Sequence, residues 1–306
     1  SNIFFRSLDG EKWSPEVRVT SRAANDWEPA VATDSKGNAW IVYDSYKNGN
    51  YDVFLTRVAG GQVQGPEIAV VATPRFEARA TVAVDTADRV WVAWEAGRPN
   101  WGKDQGYIIR DRQTGAPLGG PREAQVRCYQ NGQWRAPEAG LPSALQADTY
   151  LPHLFSDGRG SVWLAANRRI SAAGGPGPGR RGYWEFWVTH FDGKGWAEPF
   201  PLPNSKGRSS TSISAAVAGD GSLRLAWPTD NRAAGFYHRP LRQQVYAGTI
   251  PAPREATVAE MPPARPPGPV EVKPEHAGER SDVAAIRSYT VSLGGRVHHI
   301  LRGDFH

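Results

Sequence analysis

Two markers recur along this chain, and their spacings change together. An apolar residue just ahead of a proline appears as Trp13-Ser14-Pro15, Val63-Gln64-Gly65-Pro66, Trp134-Arg135-Ala136-Pro137 and Trp196-Ala197-Glu198-Pro199. Some two dozen residues after each comes a turn that leads into an aromatic strand. The turns are Asp34-Ser35-Lys36-Gly37-Asn38-Ala39-Trp40, Asp85-Thr86-Ala87-Asp88-Arg89-Val90-Trp91 and Asp157-Gly158-Arg159-Gly160-Ser161-Val162-Trp163, with a degenerate copy at Ala218–Arg224. The first marker steps by 50, 71 and 62 residues, and the second by 51, 72 and 61. Spacings that lengthen and shorten in parallel mean one structural unit repeated, with insertions in the second and third copies. Short strands and turns at this period predict an all-β fold, a β-propeller of four-stranded blades.

Within a unit, Pro29–Thr33 reads as an inner strand, Ala39–Tyr43 as the second, Asp52–Val58 as the third and Ile68–Val71 as the outermost. Alternation sends Trp40, Val42 and Asp44 to one face and Ile41 and Tyr43 to the other, as a blade packed between two neighbours requires. The turn aspartates suit backbone capping next to a glycine, so they read as structural. Blade units are expected near 1–25, 26–74, 75–147, 148–208 and 209–250, about five in all. The ring need not close, because residues 3–20 look like outer strands without inner partners. The chain therefore reads as part of a longer one.

Composition narrows the function. The 33 Gly, 25 Pro and 12 Trp fit many strands broken by turns. No stretch approaches the ~18 apolar residues of a membrane span, and the start has no signal-peptide pattern. The net charge of +5 comes with scattered arginines, which argues against a nucleic-acid face. Cys128 is the single cysteine, so no disulfide forms within the chain and the compartment stays open.

In a propeller, the loops entering the inner strands share a face with those leaving the second strands, and function usually sits there. Entering loops offer Asp26, Trp27, Glu28, Arg75, Glu77 and Arg79. Leaving loops offer Asp44, Tyr46, Glu95, Arg98, Trp101, Arg168, Asp230 and Arg232. Charged groups for hydroxyls and rings for stacking are what a sugar or other small-molecule ligand uses. Asp26 and Glu77 share a register, with Asp148 one residue out of it. The alternative is therefore a glycoside hydrolase or sialidase-like enzyme using Asp26, Glu77 and Asp148 as base, acid and pKa modulator. The turns lack the Ser-x-Asp-x-Gly-x-x-Trp form of sialidase blades. A third possibility is a structural scaffold.

Residues 251–275 hold eight prolines and read as a stiff linker. Residues 276–306 read as a short helix and a Gly-Gly hairpin, ending in Leu301-Arg302-Gly303-Asp304-Phe305-His306. An Asp-x-His leaving a strand end is how several metal-dependent hydrolases begin. That ending, together with Asn48–Phe54 and the Pro99–Asp104 loop, resembles a bacterial family of large, often exported proteins of unassigned function. In that family a repeat propeller precedes a domain similar to the PHP (polymerase and histidinol phosphatase) metallohydrolases. The resemblance implies that Asp304 and His306 open a divalent-metal site whose remaining ligands lie in a domain beyond this chain. It further implies an extracytoplasmic location. The favoured reading of this chain is a non-catalytic module for ligand, including glycan, or partner recognition, with no cofactor of its own, beside that hydrolase domain.

Overall fold

The computed structural model describes residues 1–22, 24–47, 50–99, 121–171, 182–207, 211–230, 243–251, 260–270 and 279–299. Four antiparallel sheets are arranged as a four-blade β-propeller. Ahead of them lie β1 (Phe4–Phe5), β2 (Leu8–Asp9), β3 (Lys12–Trp13) and β4 (Val17–Arg18), with β1 paired to β4 and β2 to β3. Blade 1 is β5 (Asp26–Thr33), β6 (Ala39–Ser45), β7 (Asp52–Ala59) and β8 (Gln62–Val71). Blade 2 is β9 (Arg75–Val84), β10 (Val90–Pro99), β11 (Glu123–Gln130) and β12 (Gln133–Arg135). Blade 3 is β13 (Thr149–Ser156), β14 (Val162–Ser171), β15 (Gly182–Phe191) and β16 (Phe200–Pro201). Blade 4 has three strands, β17 (Ser214–Val217), β18 (Leu223–Thr229) and β19 (Gln244–Ile250). Inner strands β5, β9, β13 and β17 stand side by side. The unit expected at 1–25 consists of the short β1–β4 ladder, without inner strands.

The alternation read from the sequence assigns each second-strand side chain to an inter-blade layer. Trp40 and Val42 of blade 1 pack against Val82, Val92 and Trp94 of blade 2. One repeat on, Trp91 and Ala93 face Leu154 and Leu164 of blade 3. Trp163 and Ala165 then face Leu223, Leu225 and Trp227 of blade 4. The other face of blade 1, with Ile41, Tyr43 and Phe54, is covered by Ile3, Phe5, Val17 and Val19. The N-terminal ladder thus stands where a preceding blade would.

The turn ends of blades 1 to 3 repeat nearly atom by atom. Asp34 Oδ1 accepts from the amides of Lys36 and Asn38, and its Oδ2 accepts from Trp40 Nε1 at 3.1 Å. Asp85 does the same with Ala87, Arg89 and Trp91 at 2.8 Å, and Asp157 with Arg159, Ser161 and Trp163 at 3.3 Å. Each carboxylate closes the turn and fixes the ring that fills the next inter-blade layer.

Part of the proline-rich stretch joins the sheet edge of blade 2. Pro263 lies antiparallel to Arg135; Ala136 N donates to Pro262 O at 3.2 Å and Ala264 N to Trp134 O at 2.9 Å. Arg135 also donates to Met261 O at 2.6 Å, and Met261 is buried beside Leu141 and Leu145. Prolines suit this place because an edge strand needs donors on one side only. Beyond it lie α1 (Glu279–Ser288) and a hairpin of β20 (Thr290–Leu293) and β21 (Arg296–His299). Its turn residues, Gly294 and Gly295, both have positive φ, as a two-residue hairpin turn demands. Among the described residues, no helix is long and apolar enough to cross a membrane.

Candidate functional site

The opposite end of the blades has its own repeat. The inner strands of blades 1 to 3 each carry a bulge, where the pairing register shifts between Trp27 and Ala30, across Ala78 to Thr81, and between Tyr150 and His153. At each bulge a non-glycine residue takes a left-handed backbone: Glu28 (φ 47°), Arg79 (φ 56°) and Leu151 (φ 48°). Their spacings of 51 and 72 residues match the turn marker. A non-glycine residue held there costs ~1–3 kcal/mol, and the preceding blade supplies a compensating bond. Asp44 Oδ2 accepts from Arg79 N at 2.8 Å, and Glu95 Oε1 accepts from Leu151 N at 2.6 Å. Asn167 Nδ2 donates to Thr211 O in the approach to blade 4. Asp44, Glu95 and Asn167 are one repeat position, on the same face as Trp40, Trp91 and Trp163. They latch each blade to the next.

A bulge bends its strand and re-aims the neighbouring side chain. Here it aims Trp27, Ala78 and Tyr150 into a cavity of about 800 Å³ at the junction of blades 1, 2 and 3. Blade 1 also contributes Glu28, Asp44 and Tyr51 to the lining; blade 2 contributes Phe76, Arg79 and Arg122, and blade 3 Arg169 and Trp184. The rings contact one another along the walls: Trp27 and Tyr51 at 5.3 Å, Tyr51 and Phe76 at 5.6 Å, Tyr150 and Trp184 edge-on at 4.6 Å. The Arg122 guanidinium lies 4.0 Å over the Phe76 ring. Five rings and three guanidinium groups in a space of this size form a ligand-sized pocket.

Burial governs the charges. Asp44 is pushed up to about 8, first by desolvation and then by the nearby Glu28 and Glu95, against the bond from Arg79 N. Glu95, fully buried, is also raised by desolvation, although it faces Arg79 Nη1 at 3.2 Å and Arg122 Nε at 3.9 Å. Burial raises the Tyr51 and Tyr150 hydroxyls and lowers Arg122. Arg169 hydrogen-bonds the Tyr150 hydroxyl.

Of the residues singled out in the sequence, Trp27, Glu28, Asp44 and Arg79 line the cavity, and Glu95 lies behind Arg79 and Arg122. Tyr46 supports the wall, edge-on to Tyr51 at 5.2 Å. Arg75 is turned away, donating to Gly97 O at 2.7 Å and pairing with Glu123 at 2.6 Å. Arg168 lies over the Trp187 ring at 4.8 Å, Arg98 is exposed and Asp230 sits beside Gly207, none of them lining the cavity. Trp101, Arg232, Asp304 and His306 lie outside the described residues.

The carboxylate trio is not brought together at the cavity. Asp26 and Glu77 each precede the cavity-facing residue by one, so alternation points them the other way. Asp26 is buried with Arg22 Nε at 3.6 Å. Glu77 is buried too, accepting from Thr73 N at 2.9 Å and Thr73 Oγ1 at 2.5 Å, and burial pushes it up to about 7. In blade 3 their position is Thr149; Asp148, at φ 51°, accepts from Arg169 N at 2.8 Å through its carbonyl.

Sequence reasoning missed Tyr51, Phe76, Arg122, Tyr150, Arg169 and Trp184. Two of these had a legible signal. Asn167 follows from Asp44 and Glu95 by the repeat steps, and Arg169 shares its side of the strand, which selects Arg169 over Arg168. Trp184 is the cross-strand partner of Arg169.

No family profile and no curated protein sequence matches the chain. Among solved structures it is similar to a protein of unknown function from Dyadobacter fermentans, with a TM-score of 0.48 and 13% identity, covering 86% of this chain and 72% of that one. It is also similar to the catalytic domain of a GH62 α-L-arabinofuranosidase from Coprinopsis cinerea, with a TM-score of 0.39 and 10% identity, covering 75% and 66%. Likeness at this level says nothing about ligand or activity.

Proposed function

We propose that the propeller is a non-catalytic recognition module that binds a saccharide in the cavity between blades 1, 2 and 3. In this reading it acts beside the PHP-like hydrolase domain that the sequence resemblance implies, outside the cytoplasm. One observation carries the proposal: both buried carboxylates at the cavity, Asp44 and Glu95, are engaged with the backbone of the next blade. Among the described residues, that leaves Glu28 as the exposed carboxylate of the lining. Hydrolysis by two carboxylates needs both facing the same bond. Rings and guanidinium groups, by contrast, bind sugars without reacting.

A second reading has its own support. Asp44, its proton affinity raised by burial and by the nearby Glu28, has the character of a general acid beside a carboxylate, as a glycosidase requires. One assay separates them: the full chain is titrated with a saccharide panel by calorimetry, and the same mixtures are followed for released reducing ends. Binding with no turnover is expected. Turnover abolished in Asp44→Asn would overturn recognition in favour of hydrolysis.

A further inference from the structure

The cavity is polarised. Its blade 1 wall presents acceptors, with the exposed carboxylate of Glu28 beside the rings of Trp27 and Tyr51. The opposite wall, from blades 2 and 3, presents the guanidinium donors of Arg79, Arg122 and Arg169 between the rings of Phe76, Tyr150 and Trp184. Arg79 and Arg122 both face the buried Glu95 carboxylate. Arg79 meets it through Nη1 at 3.2 and 3.3 Å, while 43% of its side chain remains exposed. Arg169 reaches the Tyr150 hydroxyl, with the Asp148 carboxylate also near that hydroxyl. Asp44, held largely protonated by burial, adds little negative charge. Among the described residues, the lining of the blade 2 and 3 wall thus carries three guanidinium groups and no carboxylate.

We propose that the ligand is an acidic saccharide of the uronic-acid class, its carboxylate on the Arg79–Arg169 wall and its hydroxyls toward Glu28. This rests on the recognition reading above and specifies its ligand. A guanidinium fork matches a planar carboxylate in a bidentate way that it cannot match a hydroxyl. A sugar ring between Trp27 on one wall and Trp184 on the other buries its apolar faces, while the polarity of the walls sets its direction. A neutral sugar leaves the donor wall poorly matched, and a simple inorganic anion leaves the ring walls and Glu28 unused.

The test is calorimetry of the full chain with trigalacturonate, with its methyl ester as the neutral isostere, and with a sulfated trisaccharide. Trigalacturonate is expected to bind at least tenfold tighter than the ester. Arg169→Gln and Arg79→Gln should each remove most of that difference between acid and ester. Arg168→Gln, one residue away and stacked on Trp187, should change nothing. Circular dichroism of each variant separates lost binding from lost folding. Equal binding of acid and ester would overturn the acidic-ligand inference and leave recognition standing. Preference for the sulfated sugar would overturn the carboxylate assignment. No binding of any saccharide would remove both the inference and the recognition reading.

Discussion

The two ends of the blades obey different rules. At the turn end, the three aspartates, their amide partners and the three tryptophans repeat nearly atom for atom from blade 1 to blade 3. At the cavity end the backbone repeats just as faithfully, with three left-handed bulges and three latches, but the side chains aimed into the cavity differ: Trp27, Ala78 and Tyr150. What repeats holds blades together. What diverges on a repeated backbone faces the space where a ligand would sit. Buried carboxylates with raised proton affinity belong to both categories, so a shifted titration by itself does not mark chemistry here.

The largest effect should come from breaking the turn end. Asp85→Ala removes the carboxylate bonded to Arg89, 1% exposed, and to the Trp91 indole, so we expect a loss of ~3–5 kcal/mol in guanidinium denaturation. Folded protein at low temperature should keep its saccharide affinity. A loss of affinity with intact folding would break the division between the two ends.

The buried carboxyls should appear as a pH dependence. Asp44 and Glu77 hold protons in the folded chain, up to about 8 and about 7, that the unfolded chain has already released. The folded state therefore binds more protons, and stability falls as pH rises toward those values. His153 and His190, lowered by burial, work in the opposite direction but only below the unfolded value of about 6.5. Between pH 6.5 and 8 the melting temperature should decline, with at most ~1.4 kcal/mol per pH unit from each carboxyl. Asp44→Asn, which retains an oxygen for Arg79 N, should flatten the curve between pH 7 and 8.

At the cavity end, Trp184→Ala should weaken saccharide binding about tenfold, or ~1.4 kcal/mol, with little change in melting temperature. The edge of blade 2 should show a local effect: Met261→Asp releases the added strand, and the amides of Ala136 and Ala264 exchange faster while the rest of the propeller is unchanged. The smallest effect belongs to Arg98→Gln. This exposed residue lies outside both networks, and its stability should stay within ~0.5 kcal/mol.

The sequence made the fold legible because the two markers and the period-2 alternation of Trp40, Ile41, Val42 and Tyr43 are imposed by packing between blades. The inter-blade layers follow that alternation residue for residue. The cavity was legible only in part. Trp27, Glu28, Asp44 and Arg79 followed from loop position, but the bulges at Glu28, Arg79 and Leu151 have no shared residue type to announce them. An unseen bulge shifts the parity of everything on its far side, which is why Asp26 and Glu77 looked convergent. Trp184 enters from a third strand, to which the loop-face rule gives no part in the site, and Arg122 lies just ahead of one, at the far end of a long connection.

The most direct measurement is a titration of the indole-15N-labelled chain with trigalacturonate, reading the 12 tryptophan Nε1–H signals. The division between the two ends predicts shifts for Trp27 and Trp184, and fixed signals for Trp40, Trp91 and Trp163, whose indoles are bonded to the turn aspartates. Shifts confined to the turn-end indoles, or no shift at millimolar ligand, would contradict it.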